Sequence, residues 1–476
     1  MTSRSAVERG LLHCDFARWI EYFAGPLSNG FVRKANSIPL TTGQYTHLGC
    51  TEVAQWLLDA RKKTGIQPER APDEVIRWSA NLAVEEYRKV VNASGLLQIT
   101  AEDPNAQAEL CRTIEEQAAL IAGLVWTWCL FRLPTILQEY LITAVEEEQE
   151  YVVACTCGLG DGIGGFREHG MRQCGGIGLQ SRPDLLLERR IDHAWCYVEL
   201  KTSAVAWKSW AEAFEKNLQL LVGVLGAEKR HGVEITHCRI EGLIKGQRKR
   251  DYPYEDSQPK TQQSPLVHAY YEAPNPPLTV GDWLPASSYV DKDGIRHSVP
   301  RGRDNRYKRI GLWEVAEDAF AGKPTEMSRS EYIVRYWAEN YPQHLQQCLA
   351  QVGPIPKKRD QLEMALRSLV ATERLWQRRL WEVYEWQVAN PGKAWGHDEF
   401  HAFVETVIPR SFRCLPFDGH PCPNIPICFR EAEGWRDPVG SEMYLPRHPH
   451  HQPERVQAAA RGWVPQPGAI VDESEE

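Results

Sequence analysis

Apolar positions recur at helical spacing through the first 140 or so residues and then change to short strand-like runs. Glu52 to Gly65 carries an apolar face and closes on Arg61-Lys-Lys63 and Gly65, as helices do. Asp73 to Val91 and Ala106 to Phe131 repeat the spacing and predict two further helices. Leu141–Glu146 and Glu150–Ala154 read as strands, Ser181 to Ser203 as a hairpin, Trp207 to Ala227 as a helix, and Glu234 to Ile244 as another strand. Strands before and after one helix, behind a helical start, predict a mixed α/β core rather than a doubly wound sheet. Residues 251–300 are rich in Pro, Tyr and polar groups and predict long loops. Arg329 to Gln351 and Arg359 to Ala389 predict helices separated by Gly353-Pro-Ile-Pro356, and Trp376, Trp381 and Trp386 read as core anchors. The resulting division is 1–135, 136–250, 251–328, 329–430, and a tail over 431–476 that ends in Asp472-Glu-Ser-Glu-Glu476.

Composition narrows this only a little. The chain has 476 residues, 42% hydrophobic and 25% charged, which is ordinary globular usage. A net charge of −8 argues against a general basic coat but leaves room for a local basic groove. No apolar run reads as long enough to span a bilayer, and no secretory leader is visible, so a reducing cytoplasm is the expected setting. Thirteen cysteines there read as buried thiols or metal ligands rather than as disulfides.

The candidate chemistry lies in Ser181-Arg-Pro-Asp-Leu-Leu-Leu, which turns through Arg189–His193 and returns on Val198-Glu-Leu-Lys201. Side chains alternate on a strand, so Glu199 and Lys201 share one face while Val198 and Leu200 point the other way. The hairpin can set Asp184 beside Glu199. Two close carboxylates repel unless compensated, and a hard divalent cation compensates them well. A charged strand face open to solvent is the alternative reading.

Pro183-Asp184 followed by Glu199-x-Lys201 resembles the signature of the PD-(D/E)xK nuclease superfamily. The resemblance implies a restriction-endonuclease-like mixed sheet flanked by helices, with an added helical C-terminal region. It implies Mg²⁺ or Mn²⁺ held by Asp184 and Glu199, with Lys201 assisting attack on a phosphodiester. Within the RecB-like branch it further implies a supporting Gln219, although the Tyr expected four residues later is Gly223 here. Thr42-Gly-Gln-Tyr-Thr-His47 resembles that branch's Gly-x-x-x-His, making His47 a third metal ligand. Glu146 resembles an acid on its first core strand, or is an edge charge.

Cys414, Cys422 and Cys428 crowd a Pro-rich segment that invites a cross-linking metal. The iron–sulfur members of the same branch, AddB-type and CRISPR-associated, place one Cys before the nuclease core and three after it. By that resemblance Cys14 joins the three in a 4Fe–4S cluster. Zn²⁺ on the same thiolates, with His420, is the alternative, and Cys50 is the rival to Cys14.

Arg248-Lys249-Arg250 and the run containing Arg303 and Arg306 are candidate phosphate contacts, with Tyr252, Tyr254 and Tyr307 available to stack on bases; solvated loops are the alternative. Gly160-Asp-Gly-Ile-Gly-Gly165 lacks the helix that a dinucleotide fingerprint needs. The expected activity is that of a DNA nuclease, an exonuclease on DNA ends or single strands in recombination, repair or phage DNA metabolism, with a helicase or recombination partner and no membrane. A structure-selective endonuclease and a non-catalytic nucleic-acid-binding protein are the alternatives.

Overall fold

The computed structural model describes residues 2–3, 14–25, 30–33, 38–93, 104–155, 176–203, 218–244, 248–250, 260–262, 288–290, 296–298, 335, 345–346, 348–393, 395–411, 422, 424–430, 433–440 and 444–447. The helices at the front are α1 (Asp15–Tyr22), α2 (Ile38–Thr64), α3 (Asp73–Ala93), α4 (Pro104–Thr127) and α5 (Leu133–Glu139). A π-turn over Trp128–Arg132 joins α4 to α5. There follow β1 (Tyr140–Val145), β2 (Gln149–Cys155), β3 (Gly176–Ser181), β4 (Leu185–Arg189), β5 (Trp195–Ser203), α6 (Leu218–His231), β6 (Ile235–Ile244), β7 (Leu349–Pro356), α7 (Arg359–Ala389) and α8 (Asp398–Val407).

The central sheet has the order β7-β6-β5-β4-β1. β5 and β6 run parallel, joined through α6, and the other pairs are antiparallel. The sheet is therefore mixed, as expected. β2 and β3 pair antiparallel in a separate three-stranded sheet, where Thr2–Ser3 runs parallel to β3.

Both faces of the sheet are covered, which is why Leu185-Leu-Leu187 is continuously apolar. Leu185, Leu187, Cys196, Val198 and Leu200 pack with residues of α2, α4 and α5. Leu186, Tyr197, Cys238 and Ile240 pack on the opposite side with Leu220, Val224 and Ala227 of α6. The predicted alternation of β5 is thus correct, and the result is three layers: helices, sheet, helix.

Three expectations fail. The C-terminal end of the helix expected over Arg329 to Gln351 is instead the start of β7, which continues through Gly353-Pro-Ile-Pro356. Among the described residues β7 pairs only with β6 and so lies at the edge of the sheet, where prolines remove no interior ladder bond. Trp376 is a core residue, but Trp381 on the same helix is 59% exposed. The third concerns apolar length: the 27-residue stretch Thr113–Glu139 is, by length and composition, long and apolar enough to cross a membrane. Here it serves as a core helix, with Leu120, Leu124, Val125, Trp126 and Trp128 fully buried against the sheet cluster.

A second core joins the two ends of the chain. Phe16, Trp19 and Ile20 of α1 pack with Trp376 and Val383 of α7, Phe400 and Val404 of α8, and Tyr444. Arg18 makes two bonds to Glu373, at 2.7 and 2.9 Å, and stacks on the Trp376 ring. Both charged side chains are fully buried, so each is the other's compensation. Asp15 pairs with Arg379 one layer out. Phe31–Arg33 and Tyr444–Pro446 complete the join as an antiparallel pair.

Candidate active site

The site forms at one end of the β4–β5 hairpin. Leu185 pairs with Val198 and Leu186 with Tyr197, and the same register carried one residue back sets Asp184 opposite Glu199. The Leu200 N–H donates to Asp184 Oδ2 at 2.5 Å. Lys201 Nζ donates to Glu199 Oε2 at 3.0 Å, and the Tyr197 hydroxyl donates to Oε1 at 2.6 Å. Asp184 is 8% exposed and Glu199 1%, which contradicts a solvated strand face.

Burial acts on this pair as electrostatics requires. Desolvation pushes the Asp184 carboxyl well above the usual carboxylate range, and the Glu199 and Glu146 charges push the same way. Lys201 and the Leu200 amide oppose them without prevailing. The site thus disfavours the charged form of Asp184 even with Lys201 nearby.

Two groups approach from other elements. His47 on α2 places Nδ1 4.0 Å from Asp184 Oδ1, beyond hydrogen-bonding distance. Glu146, just past β1, donates its backbone N–H to the Asp184 carbonyl at 3.2 Å, and Arg182 holds its carboxylate at 2.7 Å. Its φ of 46° lies in the left-handed region, an uncommon conformation for a residue with a side chain. Glu146 thus stands at the end of an edge strand, close enough to Asp184 for its charge to act on that carboxyl.

Among the described residues, no three of His, Cys, Asp and Glu enclose a point where a metal ion would sit as the side chains stand. Lys201, Tyr197 and Leu200 occupy three of the four carboxylate oxygens. The donor chemistry nevertheless fits a hard divalent cation, because it brings two buried carboxylates face to face with an imidazole beside one of them. Two ligands on opposite sides of one such cation lie at most about 4.2 Å apart, and the His47 to Asp184 gap falls inside that limit.

Other expected site residues are placed less completely. Gln219 is on the first turn of α6, and its side chain lies outside the described residues. Arg248, Lys249 and Arg250 form a short strand paired with 260–262, their side chains likewise outside. Arg303, Arg306, Tyr252, Tyr254, Tyr307, Cys414, His420 and the 160–165 run also fall outside the described residues.

The cysteines at the chain ends converge. Ser411 N–H approaches Cys14 Sγ at 3.4 Å, and Arg410 Nε donates to Cys428 Sγ at 3.2 Å. Both thiols therefore meet consecutive residues, three and four positions before Cys414. Cys422 stands at the start of the short turn leading to Cys428, accepting the Ile425 N–H on its carbonyl. N–H donors on sulfur, as at Cys14 and Cys428, also occur around thiolate ligands of a metal. Cys50 is fully buried in the main core, away from this group, and is no rival to Cys14. Cys129, Cys196, Cys238 and Cys348 are buried thiols, as expected.

Tyr197 lies outside the Pro-Asp and Glu-x-Lys pattern, yet it bonds the second acid. Alternation alone marks it, since 197, 199 and 201 share a strand face. No protein-family model matches the chain, and no curated protein matches it in sequence.

Proposed function

We propose that this chain is a metal-dependent DNA nuclease of the PD-(D/E)xK type, with a restriction-endonuclease-like core. One observation carries the proposal: Asp184 and Glu199 are both buried on neighbouring strands, with Lys201 on the second acid and His47 beside the first. A charge pair kept merely for solubility has no reason to be buried at this desolvation cost.

In this reading His47, Asp184 and Glu199 hold Mg²⁺ or Mn²⁺, and Gln219 supports the site from α6. The bound cation supplies Lewis acidity toward the phosphodiester and acidifies water. Lys201 orients the attacking water and offsets charge building on the phosphate oxygens. Water oxygen bonds to phosphorus as one P–O ester bond breaks, and the water's proton ends on the leaving oxygen. The resemblance favours exonuclease action in recombination, repair or phage DNA metabolism, beside a helicase or recombination partner. Arg248, Lys249, Arg250, Arg303 and Arg306 are the proposed phosphate contacts.

At the chain ends we propose a 4Fe–4S cluster on Cys14, Cys414, Cys422 and Cys428. The approach of Cys14 and Cys428 to Arg410 and Ser411 supports it. Anaerobic purification should give a brown protein whose visible band is lost in Cys14→Ser. A colourless protein carrying one Zn²⁺ replaces iron–sulfur with zinc.

The nuclease assay uses purified protein with Mg²⁺ or Mn²⁺ on linear and circular DNA, single- and double-stranded. Metal-dependent loss of linear forms, abolished in Asp184→Ala, is expected, and cutting of circular single strands points to endonuclease action. No cleavage of any form, or an Asp184→Ala protein as active as its parent, overturns the proposal.

A further inference from the structure

The face of β5 that carries the site is pressed unusually close to α6. A Cβ built on Gly223 would lie 2.1 Å from the Tyr197 hydroxyl oxygen and 2.4 Å from its Cζ. One turn on, a Cβ on Gly226 would lie 2.4 Å from Ser181 Oγ and 2.6 Å from Gln149 Oε1. Helix α6 thus turns a glycine face toward the strands, although glycine is less favourable than alanine in a helix interior. Tyr151 locks this approach by donating from its hydroxyl to the Val222 carbonyl at 2.6 Å.

The space at Gly223 is filled by one ring. Tyr197 is fully buried there, and its hydroxyl meets Glu199 Oε1 at 2.6 Å while Lys201 takes Oε2 at 3.0 Å. A carboxylate gripped at both oxygens has one orientation. A packing role alone would be served by phenylalanine, which leaves Oε1 without this donor.

We infer that Tyr197 is a positioning residue for Glu199, and that Gly223 is glycine because only it admits the tyrosine ring at that depth. The inference rests on the metal-dependent reading above. Tyr197 does not touch substrate. It sets the direction in which Glu199 presents its oxygens, so its loss should weaken cation binding rather than DNA binding. Removing a hydrogen-bond partner behind a metal ligand typically costs about 10- to 100-fold in metal affinity.

The test compares the full-length parent with Tyr197→Phe, which keeps the ring and deletes the hydroxyl. Mn²⁺ binding is read directly from the EPR signal of free Mn²⁺, and cleavage is measured against both metal and DNA concentration. The Mn²⁺ dissociation constant should rise at least about tenfold, with KM for DNA unchanged at saturating metal. Gly223→Ala is the second variant; it retains the hydroxyl but displaces the ring, and it should weaken Mn²⁺ binding in the same way. If both variants fold and bind Mn²⁺ like the parent, the role of Tyr197 is overturned while the nuclease proposal stands. If the parent itself binds no Mn²⁺, both fall together.

Discussion

The two regions of this molecule that carry the candidate metal ligands are built in opposite ways. The carboxylate site is made by one hairpin: strand register sets Asp184 against Glu199, and Leu200, Tyr197 and Lys201 hold their oxygens within a few residues of the same strand. The cysteine site is made by distant segments. Cys14 meets Ser411 across 397 positions, and that meeting depends on the α1–α7 join rather than on local pairing. Local construction yields charges crowded at a stability cost. Distant construction yields ligands whose closeness is only as secure as the packing behind them.

The sharpest break in that comparison is Asp184→Asn. It should lower turnover by about a thousandfold or more, since a cation site supplies several kcal/mol and each tenfold is about 1.4 kcal/mol. Thermal melting of the same variant without added metal should be no lower than the parent's, because the lost charge was an unfavourable one. A melting temperature that falls with activity would show that Asp184 is structural.

Next in size is the distant site's support. Glu373→Ala leaves Arg18 buried without its partner and should cost about 3 kcal/mol. Proteolysis and melting should show α1 detaching while the sheet stays folded. Loss of the cysteine-bound metal with retained, metal-dependent DNA cleavage would separate the two regions; simultaneous collapse of both would deny that they are independent.

His47→Ala sharpens the first region. The Mn²⁺ or Mg²⁺ concentration giving half-maximal cleavage should rise about tenfold, because one of three proposed ligands is gone. An unchanged metal requirement would make His47 a structural neighbour.

The smallest expected effect is in pH. With its carboxyl held well above the ordinary value, Asp184 binds its proton more tightly folded than unfolded. Its contribution to stability is full below the unfolded value of about 3.9 and is lost as pH rises through the folded one. In EDTA, melting should therefore fall with rising pH by about 2 °C or more, and Mg²⁺ should flatten the slope. A slope unaffected by Asp184→Asn would assign it to another group.

Much of the first region was legible in the sequence because a strand's period is short. Alternation put Glu199 and Lys201 on one face and Val198 and Leu200 on the other, and the hairpin brought Asp184 across. Tyr197 obeys the same parity and was missed only because a tyrosine in a strand reads as packing. β7 was hidden for a different reason: Gly353-Pro-Ile-Pro356 breaks the ladder rules of an interior strand, and nothing local announces that a strand will lie at an edge. The core helix over Thr113–Glu139 shows the limit of composition, since an apolar segment looks alike in lipid and in the middle of a protein. His47 beside Asp184 and Cys14 beside Ser411 are contacts between remote segments, which period and spacing do not encode; resemblance suggested His47, and it placed Cys14 near the C-terminal cysteines without naming Ser411.

The buried Arg18–Glu373 bond, 355 positions apart, also sets an order of events. On a ribosome, α1 is among the first pieces of the described chain to emerge, yet its counter-ion is not made until the central sheet has received its last strand at Pro356. The newborn helix must wait, its guanidinium in water, while the hairpin with Asp184 and Glu199 can already close. Nascent chains halted before residue 373 should therefore resist protease over the sheet and remain cut at α1.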